Sequence, residues 1–497
     1  MDPIPTWLLR DLQPSLIPVL TEIINTSLSS GIVPCVLKHA IVKPLLKKPS
    51  LDKALLKNYR PVSNLPFVSK LLERAVATQY VRHCEMNDLQ VAFQAAYKKC
   101  NSTETAMTRV HNDLMQAVDR DGAALLILLD LSAAFDTIDQ KLLLRILQSE
   151  MMVSGVALRW FESYLSGRTQ AISIKGTLST KKALTCGVPQ GSVLGPILFT
   201  TYTSPLARII SDRAMPFMLY ADDTQLYLSF RPSTVSDAVD SLTSCVNDIK
   251  NWMDTHYLRL NADKTEVLVI SSPSVSRSLR LPAFELAGAH VKPSAAVRDL
   301  GVTLDSALRL DCHVSNVVRS SYAHLSKIAR IRRYLTAEAA KNLVISRLDY
   351  CNVILYGISG TLLAKLQRLQ NHAARVITGT RKYDHITPVL KSLHWLPVEQ
   401  RIVFKIMLLT FKSLHGLAPS YLSELLHSYK PSRTLRSNSQ NLLVVPNFRL
   451  DSFGGRAFSN VSPRLWNNLP QRVRDCATLS AFKRSLKTHL FIQAYGQ

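Results

Sequence analysis

Three aspartates stand at positions where carboxylates can do chemistry. Asp130 ends the apolar run Ala124–Leu129, and Asp222 and Asp223 lie in the segment Ala221–Thr224 between two other apolar runs. Hard cations such as Mg²⁺ prefer carboxylate oxygens, and two such ions about 3.5–4 Å apart catalyse in-line phosphoryl transfer. Convergence of these acids from two distant points of the chain would therefore create a two-metal site.

The flanking patterns predict the elements that carry these acids. The apolar run before Asp130 predicts a buried strand, and Gln140–Leu147 after it has the spacing of a helix. Phe217–Tyr220 and Gln225–Leu228 predict a strand pair, because the segment between them has the length and the Asp residues of a hairpin turn. We therefore expect two acids at a tight turn and one at a strand end.

Longer stretches of the sequence predict three regions. Residues 1–35 have the spacing of a helical lead-in interrupted by proline, and strands and helices alternate over 36–305, as in an α/β or α+β domain. Residues 306–497 are mainly helical in pattern, with an apolar stripe along Leu362–Ile377. The Ser- and Pro-rich Ser271–Pro282 predicts a loop.

Positive charge is concentrated in the last of these regions. The chain carries 60 Lys and Arg against 36 Asp and Glu, a net charge of +24. Ser306–Gln497 holds 28 basic and 8 acidic residues, so it contributes +20 and residues 1–305 only +4. This surplus predicts a polyanionic partner such as nucleic acid, and the alternative is a basic protein without one.

Several classes of protein are disfavoured. The eight cysteines show no Cys-x-x-Cys and no zinc-ligand spacing, which predicts reduced, mostly buried thiols. The longest clean apolar stretch, Ala123–Leu129, is too short to cross a bilayer, and the segment after Met1 lacks the pattern of a secretion signal. We therefore expect an intracellular protein without a membrane span.

Three motifs occur in the order and spacing of a known family. Leu129–Asp136 (LDLSAAFD), Gly187–Ser192 (GVPQGS) and Tyr220–Asp223 (YADD) together resemble the reverse transcriptases, most closely those of LINE-type retrotransposons, which lack long terminal repeats. The resemblance covers nearly the whole chain. Further segments resemble the finger, late palm, thumb and C-terminal motifs of these elements: Asn58–Pro66, Ser102–Thr105, Leu260–Glu266, Asp299–Val302, Ser346–Asn352, Leu393–Pro397 and Leu465–Pro470.

This resemblance implies an architecture and an activity. The fold would be α+β, a right-hand polymerase with fingers and an antiparallel palm sheet to about residue 305, followed by a mainly helical thumb and C-terminal extension. The activity would be RNA-directed DNA polymerisation in retrotransposition. Its partners would be an RNA template, a DNA primer or target DNA and deoxynucleoside triphosphates, with two Mg²⁺ ions for which Mn²⁺ can substitute.

The same resemblance implies roles for single residues. Asp130, Asp222 and Asp223 would be the catalytic, metal-binding acids. Phe135 would be a bulky gate that leaves no room for a ribose 2′-OH, and its alternative role is ordinary core packing. Gly191 would allow a ligand to approach the backbone, since glycine lacks a side chain.

Further roles concern the substrates. Gln190 would shape the nucleotide and template pocket beside Gly191, and Leu300 and Gly301 would form the primer grip. Candidates for contacting the incoming triphosphate are Arg60, which could instead pair with an acid, and Lys264, which could instead lie on a solvated face. Lys98 is a further candidate for binding the substrate. A lysine near the leaving pyrophosphate can also donate a proton.

Two departures from the family pattern stand out. Lys98 lies where the family commonly has arginine, so a point charge replaces a planar two-pronged phosphate clamp. The first finger motif begins at Asn58, which leaves no room before it for the endonuclease of these elements, so the sequence does not assign DNA nicking to this chain.

Two other functions compete with an active reverse transcriptase. One is a catalytically inactive remnant that only binds RNA or an RNA/DNA hybrid. The other is an RNA-dependent RNA polymerase, which Phe135 disfavours. The resemblance implies work on chromosomal DNA, which favours the nucleus over the cytoplasm. The sequence contains no compact run of five or more basic residues of the kind that directs nuclear import.

Overall fold

The computed structural model describes residues 5–132, 135–336, 338, 345–430 and 441–496. Its strands are β1 (His39–Leu46), β2 (Tyr59–Asn64), β3 (Ala123–Leu129), β4 (Leu131–Ser132), β5 (Thr169–Ile174), β6 (Thr177–Leu178), β7 (Lys182–Ala183), β8 (Phe217–Tyr220), β9 (Asp223–Phe230), β10 (Arg259–Leu260), β11 (Glu266–Ser271), β12 (Phe284–Leu286), β13 (Ala289–Val291), β14 (Ala296–Asp299) and β15 (Val302–Asp305).

The helices in these ranges are α1 (Thr6–Asp11), α2 (Gln13–Ser30), α3 (Phe67–Met86), α4 (Thr103–Asp121), α5 (Gln140–Ser149), α6 (Gly155–Leu165), α7 (Leu194–Tyr202), α8 (Pro205–Asp212), α9 (Val235–Thr255), α10 (Pro273–Ser278), α11 (Asp311–Ile331), α12 (Gly360–Thr378), α13 (Ile386–Ser392), α14 (Val398–Leu414), α15 (Ser420–Ser423), α16 (Phe458–Asn467), α17 (Gln471–Arg474) and α18 (Leu479–Tyr495).

A four-stranded antiparallel sheet, in the order β11-β3-β9-β8, forms the palm. Its central strand β3 is buried on both faces, as the continuous apolar run predicts. Because side chains alternate along a strand, Leu125 and Ile127 enter one apolar core, and Ala124 and Leu126 enter another. The sheet confirms the predicted α+β palm.

A second sheet lies in the fingers. Strand β1 pairs antiparallel with β2 and parallel with β5, while β6 and β7 both pair with β5. The backbone N–H of Ser63 in β2 donates to the carbonyl of Gln190 at 2.7 Å. This bond joins the finger sheet to the loop that carries the GVPQGS motif.

One apolar core crosses the predicted boundary near residue 305. It extends from Ala95 to Leu490 and includes palm and C-terminal side chains. Helix α4 lies between them, in contact with β9 and α16. A capping box starts this helix, in which Ser102 Oγ accepts from the N–H of Thr105 at 3.2 Å. The division into regions 36–305 and 306–497 stays a prediction, because the two share this core.

Two predictions about local structure are wrong. The predicted loop Ser271–Pro282 contains helix α10, because Ser272 caps its N-terminus and Pro273 occupies the first turn, where proline is tolerated. The thiols are not mostly buried. Cys35, Cys100, Cys186 and Cys312 are exposed because they lie in loops or near helix starts, whereas all eight cysteines are free, as predicted.

The other segments follow the sequence patterns more closely. The predicted lead-in 1–35 contains α1 and α2 over the residues described, and its residues 1–4 lie outside them. The stripe Leu362–Ile377 is the buried face of α12. No described helix is both long enough and apolar enough to span a membrane.

Candidate active site

A strained two-residue turn carries Asp222. Tyr220 pairs with Asp223 across the β8–β9 hairpin, so Ala221 and Asp222 form its loop. Ala221 has φ +56°, a conformation that an L side chain rarely adopts and that is typical of functional sites. The side chain of Gln94, which is buried, accepts a hydrogen bond from the N–H of Ala221 at 3.1 Å. Gln94 therefore holds the turn in place.

Asp130 lies at the neighbouring strand end. Leu129 of β3 pairs with Thr224 of β9, which brings Asp130 beside the start of β9. Its carboxylate accepts a hydrogen bond from the ammonium of Lys264 at 2.8 Å, and its backbone carbonyl accepts from the N–H of Asn261 at 2.9 Å. The sheet thus gathers the three predicted acids at one end of the palm.

The electrostatics of the acids reflect this proximity. Burial, and then the charges of Asp222 and Asp130, raise the pKa of Asp223 to about 6. Burial is also the largest cause of the raised pKa of Asp222, which the charge of Asp130 raises further and those of Arg60 and Lys264 lower. These carboxylates disfavour each other's ionisation, and a nearby cation would stabilise their charged forms.

The described residues hold no group of three His, Cys, Asp or Glu side chains already gathered around a metal position. The metal-binding role of Asp130, Asp222 and Asp223 therefore stays a prediction. Lys264 supplies positive charge to Asp130 instead. The donor chemistry still fits a hard divalent cation, since carboxylate oxygens from two chain segments adjoin one cavity.

That cavity has a volume of about 350 Å³. Its walls come from the end of β3, the start of β9, the segment before β11 and the end of β14. Residues that line it include Asp130, Asp223, Gln225, Lys264, Asp299 and Leu300.

Phe135 stands at the predicted gate position and also packs in the core. Its ring stacks on Phe199 of α7, with ring centroids 4.8 Å apart. The carbonyl of Phe135 accepts from the N–H of Val188 at 3.0 Å, which ties the loop 187–192 to the end of the LDLSAAFD motif. The gate and core-packing roles are therefore compatible in this position.

Gly191 lies where a side chain would meet the finger sheet. It has φ +118°, and a Cβ atom there would lie 2.5 Å from the carbonyl oxygen of Ser63. The close approach seen here is made by the backbone of β2, and the expected approach of a ligand stays a prediction. Any side chain at Gly191 would separate the loop from the finger sheet.

Buried Glu73 anchors the other end of this loop. Its carboxylate accepts from the N–H groups of Val193 at 2.6 Å and Leu194 at 3.1 Å, at the start of α7. A carboxylate at a helix N-terminus is favoured by the helix dipole and by otherwise unpaired N–H groups. Burial nevertheless raises the pKa of Glu73.

Two polar groups of the predicted substrate pocket remain available. Gln190 Oε1 is buried and has no hydrogen-bond partner among the described residues. Arg60, on β2, is exposed and acts electrostatically on Asp222. Arg60 is therefore close enough to the acids to act on them, and Gln190 keeps an acceptor free for a polar ligand.

Lys98 is held in a different place from the acids, and its expected contact with the substrate stays a prediction. Its ammonium donates to the carbonyl of Val91 and lies in a separate small cavity with Tyr80 and Cys84. Burial lowers the pKa of Lys98 to about 8. The preceding Tyr97 has a positive φ of +60°.

The predicted primer-grip residues form the turn of the β14–β15 hairpin. Leu300 and Gly301 have φ +42° and +87°, the signs that a type I′ turn requires at both central positions. Asp299, directly before the turn, is only 3% exposed and receives a hydrogen bond from Gln225 Nε2 at 2.7 Å. Burial, and then the charge of Asp223, raise the pKa of Asp299 to about 8.

The sequence patterns missed two positions that shape this site, Gln94 and Gln225, and placed Asp299 in a motif without giving it a role. A signal for Gln225 was present, because this glutamine, two residues beyond Asp223, interrupts an otherwise buried apolar strand. Gln94 lies in a segment without regular structure, and its link to Ala221 depends on tertiary packing that no local pattern encodes.

Comparison with known proteins agrees with this geometry. The model of the family described as reverse transcriptase (RNA-dependent DNA polymerase) matches residues 46–304, which include all three acids. Among curated proteins, the RNA-directed DNA polymerase from mobile element jockey of Drosophila melanogaster is 26% identical over 75% of this chain and 41% of its own length. The probable RNA-directed DNA polymerase from transposon X-element of the same species is 26% identical over 70% of this chain and 38% of its own length.

The chain thus spans about two fifths of the length of the curated relatives it matches. These matches confirm the resemblance to retrotransposon polymerases that lack long terminal repeats. Among solved structures, apo telomerase from Candida tropicalis is similar with a TM-score of 0.43 and 11% identity, over 82% of this chain and 74% of that chain.

Proposed function

The chain belongs to the reverse transcriptase family, and on this basis we propose that it is an RNA-directed DNA polymerase that extends a DNA primer on an RNA template in retrotransposition. One observation carries the proposal. The pairing of Leu129 with Thr224 brings Asp130 to the hairpin of Asp222 and Asp223, within the segment that the family model matches. Acids from two chain segments at one cavity suit phosphoryl transfer.

In this proposal Asp130, Asp222 and Asp223 hold divalent cations, Mg²⁺ or alternatively Mn²⁺. When bound, two such ions activate the attacking 3′ oxygen and neutralise charge on the leaving pyrophosphate. The protein contributes orientation, because Gln94 fixes the turn that carries Asp222 and the β3–β9 pairing fixes Asp130. Lys264 releases Asp130 and becomes available to the triphosphate.

The neighbouring residues select the nucleotide. Phe135 closes the space beside the sugar and is held by its stacking on Phe199. Gln190 offers its unpaired Oε1 to the base or sugar, and Arg60 supplies positive charge near the phosphates. A filled sugar pocket favours deoxynucleotides and disfavours the RNA-polymerase alternative.

The nucleic-acid partners are an RNA template and a DNA primer or target DNA. The +20 charge of residues 306–497 supports this part of the proposal, since neutralised phosphates release counterions. Binding of an RNA/DNA hybrid is expected to weaken steeply between 50 and 200 mM salt, a range over which proteins with several phosphate contacts lose about 10³-fold or more. A flat salt profile would contradict this role of the basic region.

A second candidate function is a catalytically inactive remnant that only binds RNA or RNA/DNA hybrid. One observation favours it, namely that Lys98, which stands where the family commonly has arginine, bonds to the Val91 carbonyl in a separate small cavity. The two candidates differ in one measurable property, because only the enzyme incorporates nucleotides.

The test uses a poly(rA) template, an oligo(dT) primer, dTTP and Mg²⁺. We expect incorporation by the unchanged chain and a loss of orders of magnitude in the Asp222→Asn variant, because one carboxylate donor becomes an amide. Asp240→Asn, the same substitution on the exposed face of α9, is the matched control and should retain activity. Equal incorporation by the Asp222→Asn variant would refute the enzyme, and hybrid binding without incorporation would favour the remnant.

We further propose that the protein works in the nucleus, because a polymerase that extends chromosomal DNA must meet its primer there. Imaging of a fluorescently tagged chain tests this. Exclusion from the nucleus would contradict it.

A further inference from the structure

A buried pair of polar side chains lies directly beneath the candidate active site. Gln225 follows Asp223 by two residues on β9, so both side chains point to the same face of the strand. Asp299 is the last residue of β14, directly before the turn Leu300–Gly301. Gln225 Nε2 donates to Asp299 Oδ1 at 2.7 Å, and the two residues are 0% and 3% exposed.

Fold stability alone does not account for this pair. Burying an amide or a carboxyl without full hydrogen bonding costs about 1–3 kcal/mol per unpaired group, whereas an apolar pair of similar size has no such penalty. Here Gln225 Oε1 and Asp299 Oδ2 both lack a hydrogen-bond partner among the described residues. Buried polar groups that lower the stability of the fold in this way are expected at functional sites.

The turn that follows Asp299 is also held from its other side. The hydroxyl of Tyr350 donates to the carbonyl of Leu300 at 2.6 Å. A Cβ atom on Gly301 would lie 3.2 Å from the same tyrosine ring. The turn is therefore fixed between Tyr350, in the segment after α11, and Asp299, whose partner is on the catalytic strand.

We propose that Gln225 and Asp299 are positioning residues that link the primer-grip turn to the catalytic strand β9 and thereby set where the primer 3′ end lies relative to Asp222 and Asp223. This inference rests on the proposed function and deepens it. The link consists of one hydrogen bond between side chains of two different antiparallel pairings, β3–β9 and β14–β15. Neither residue contacts the reacting atoms, so each acts through the backbone that carries its neighbour.

Displacement of a reacting group by about 1 Å can lower a rate about 10²-fold. Removing the link should therefore affect the use of the primer end more than the binding of the nucleotide, which the proposed function assigns to other residues, Gln190 and Arg60. Asp299 takes part as a hydrogen-bond acceptor, so an asparagine, which keeps a carbonyl oxygen facing Gln225, should substitute for it.

The test compares Gln225→Leu, Asp299→Leu and the conservative Asp299→Asn in single-turnover extension of a bound primer–template. We expect both leucine variants to lose about tenfold or more in extension rate with the KM for the deoxynucleotide within about threefold of the unchanged chain, and Asp299→Asn to restore most of the rate. Gln370→Leu is the matched control. It removes another buried glutamine, which donates to the carbonyl of Leu396 at 2.8 Å in the C-terminal region.

A second readout does not depend on catalysis. Hydrogen–deuterium exchange of the backbone amides of residues 296–305 should become faster in Gln225→Leu and Asp299→Leu. It should stay unchanged in Asp299→Asn and Gln370→Leu. If the unchanged chain extends no primer, the proposed function fails, and this exchange alone decides whether the link exists. If the chain is active, normal extension and exchange in Gln225→Leu, or equal damage from Asp299→Asn and Asp299→Leu, would overturn the inference.

Discussion

The loop 187–192 and the β14–β15 hairpin are held in place in different ways. The loop 187–192 is held by backbone hydrogen bonds, from Ser63 N–H to the Gln190 carbonyl at 2.7 Å and from Val188 N–H to the Phe135 carbonyl at 3.0 Å. The β14–β15 hairpin is held near the cavity by side chains, through Gln225 at Asp299 and Tyr350 at Leu300.

The loop and the hairpin should therefore be sensitive to different kinds of substitution. The backbone of the loop approaches the backbone of β2 so closely that no space is left for an added atom. The loop therefore depends on the absence of a side chain at Gly191. Bonds between side chains depend on the chemistry of two particular groups, so the hairpin responds to changes of polarity and of pH. The following predictions test this contrast, beginning with the largest effect.

Gly191→Ala should produce the largest loss on the loop side. The added Cβ would lie 2.5 Å from the Ser63 carbonyl oxygen, and the alanine would have to adopt a φ of +118°. The loop and the finger sheet must therefore separate. We expect nucleotide incorporation to fall about 10²-fold, measured as kcat/KM for dTTP. The matched variant Gly176→Ala also has positive φ but meets no atom within 4 Å, and its incorporation should change far less. Similar losses in both variants would show that strain in φ, rather than the close approach, limits the loop.

Phe135→Val should relax the choice of sugar. The smaller side chain opens the space that the stacked ring fills, so the preference for dTTP over UTP should decrease about tenfold or more. Competing incorporation of the two nucleotides measures this ratio. An unchanged preference would place the gate at another residue.

Asp299→Asn should change the pH dependence of stability on the hairpin side. The folded-state pKa of Asp299, about 8, lies above its unfolded value of 3.8. Its stabilising contribution is therefore complete below about pH 4 and is lost as the pH rises to about 8. Denaturant unfolding should show the variant gaining on the unchanged chain across this window, by about 4–6 kcal/mol at pH 8, since each unit of pKa difference corresponds to about 1.4 kcal/mol. Parallel pH profiles would indicate that the carboxyl is not buried in solution.

Lys98→Arg should have the smallest effect. The Lys98 ammonium bonds to the Val91 carbonyl in a separate cavity, so restoring the arginine that is common in the family should change the KM for dTTP less than about twofold. A large decrease in KM would mean that this side chain turns toward the triphosphate when substrate binds.

Much of the fold followed from local patterns. The apolar run before Asp130 predicted a strand buried on both faces, and the short segment before Asp223 predicted a hairpin, because both signals depend on periodicity and turn chemistry. The helix within Ser271–Pro282 was missed, since its Ser-Pro start is equally typical of a loop and of a helix N-terminus.

The site was only partly predictable. The motifs identified the three acids and Phe135, but the contacts of Lys98 and Gly191 depend on which backbone approaches them, and sequence spacing does not encode that. The Gln225–Asp299 bond joins residues 74 positions apart, and the raised pKa of Asp299 arises only from burial in the folded chain.

Cation binding at the acids tests the central claim most directly. Electron paramagnetic resonance of Mn²⁺ should be recorded with an RNA template, a dideoxy-terminated primer and an incoming deoxynucleotide, for the unchanged chain and for Asp130→Asn and Asp222→Asn. The account predicts about two bound ions per chain and weakened binding in both variants. No bound Mn²⁺ in the unchanged chain, or equal binding in all three proteins, would contradict it.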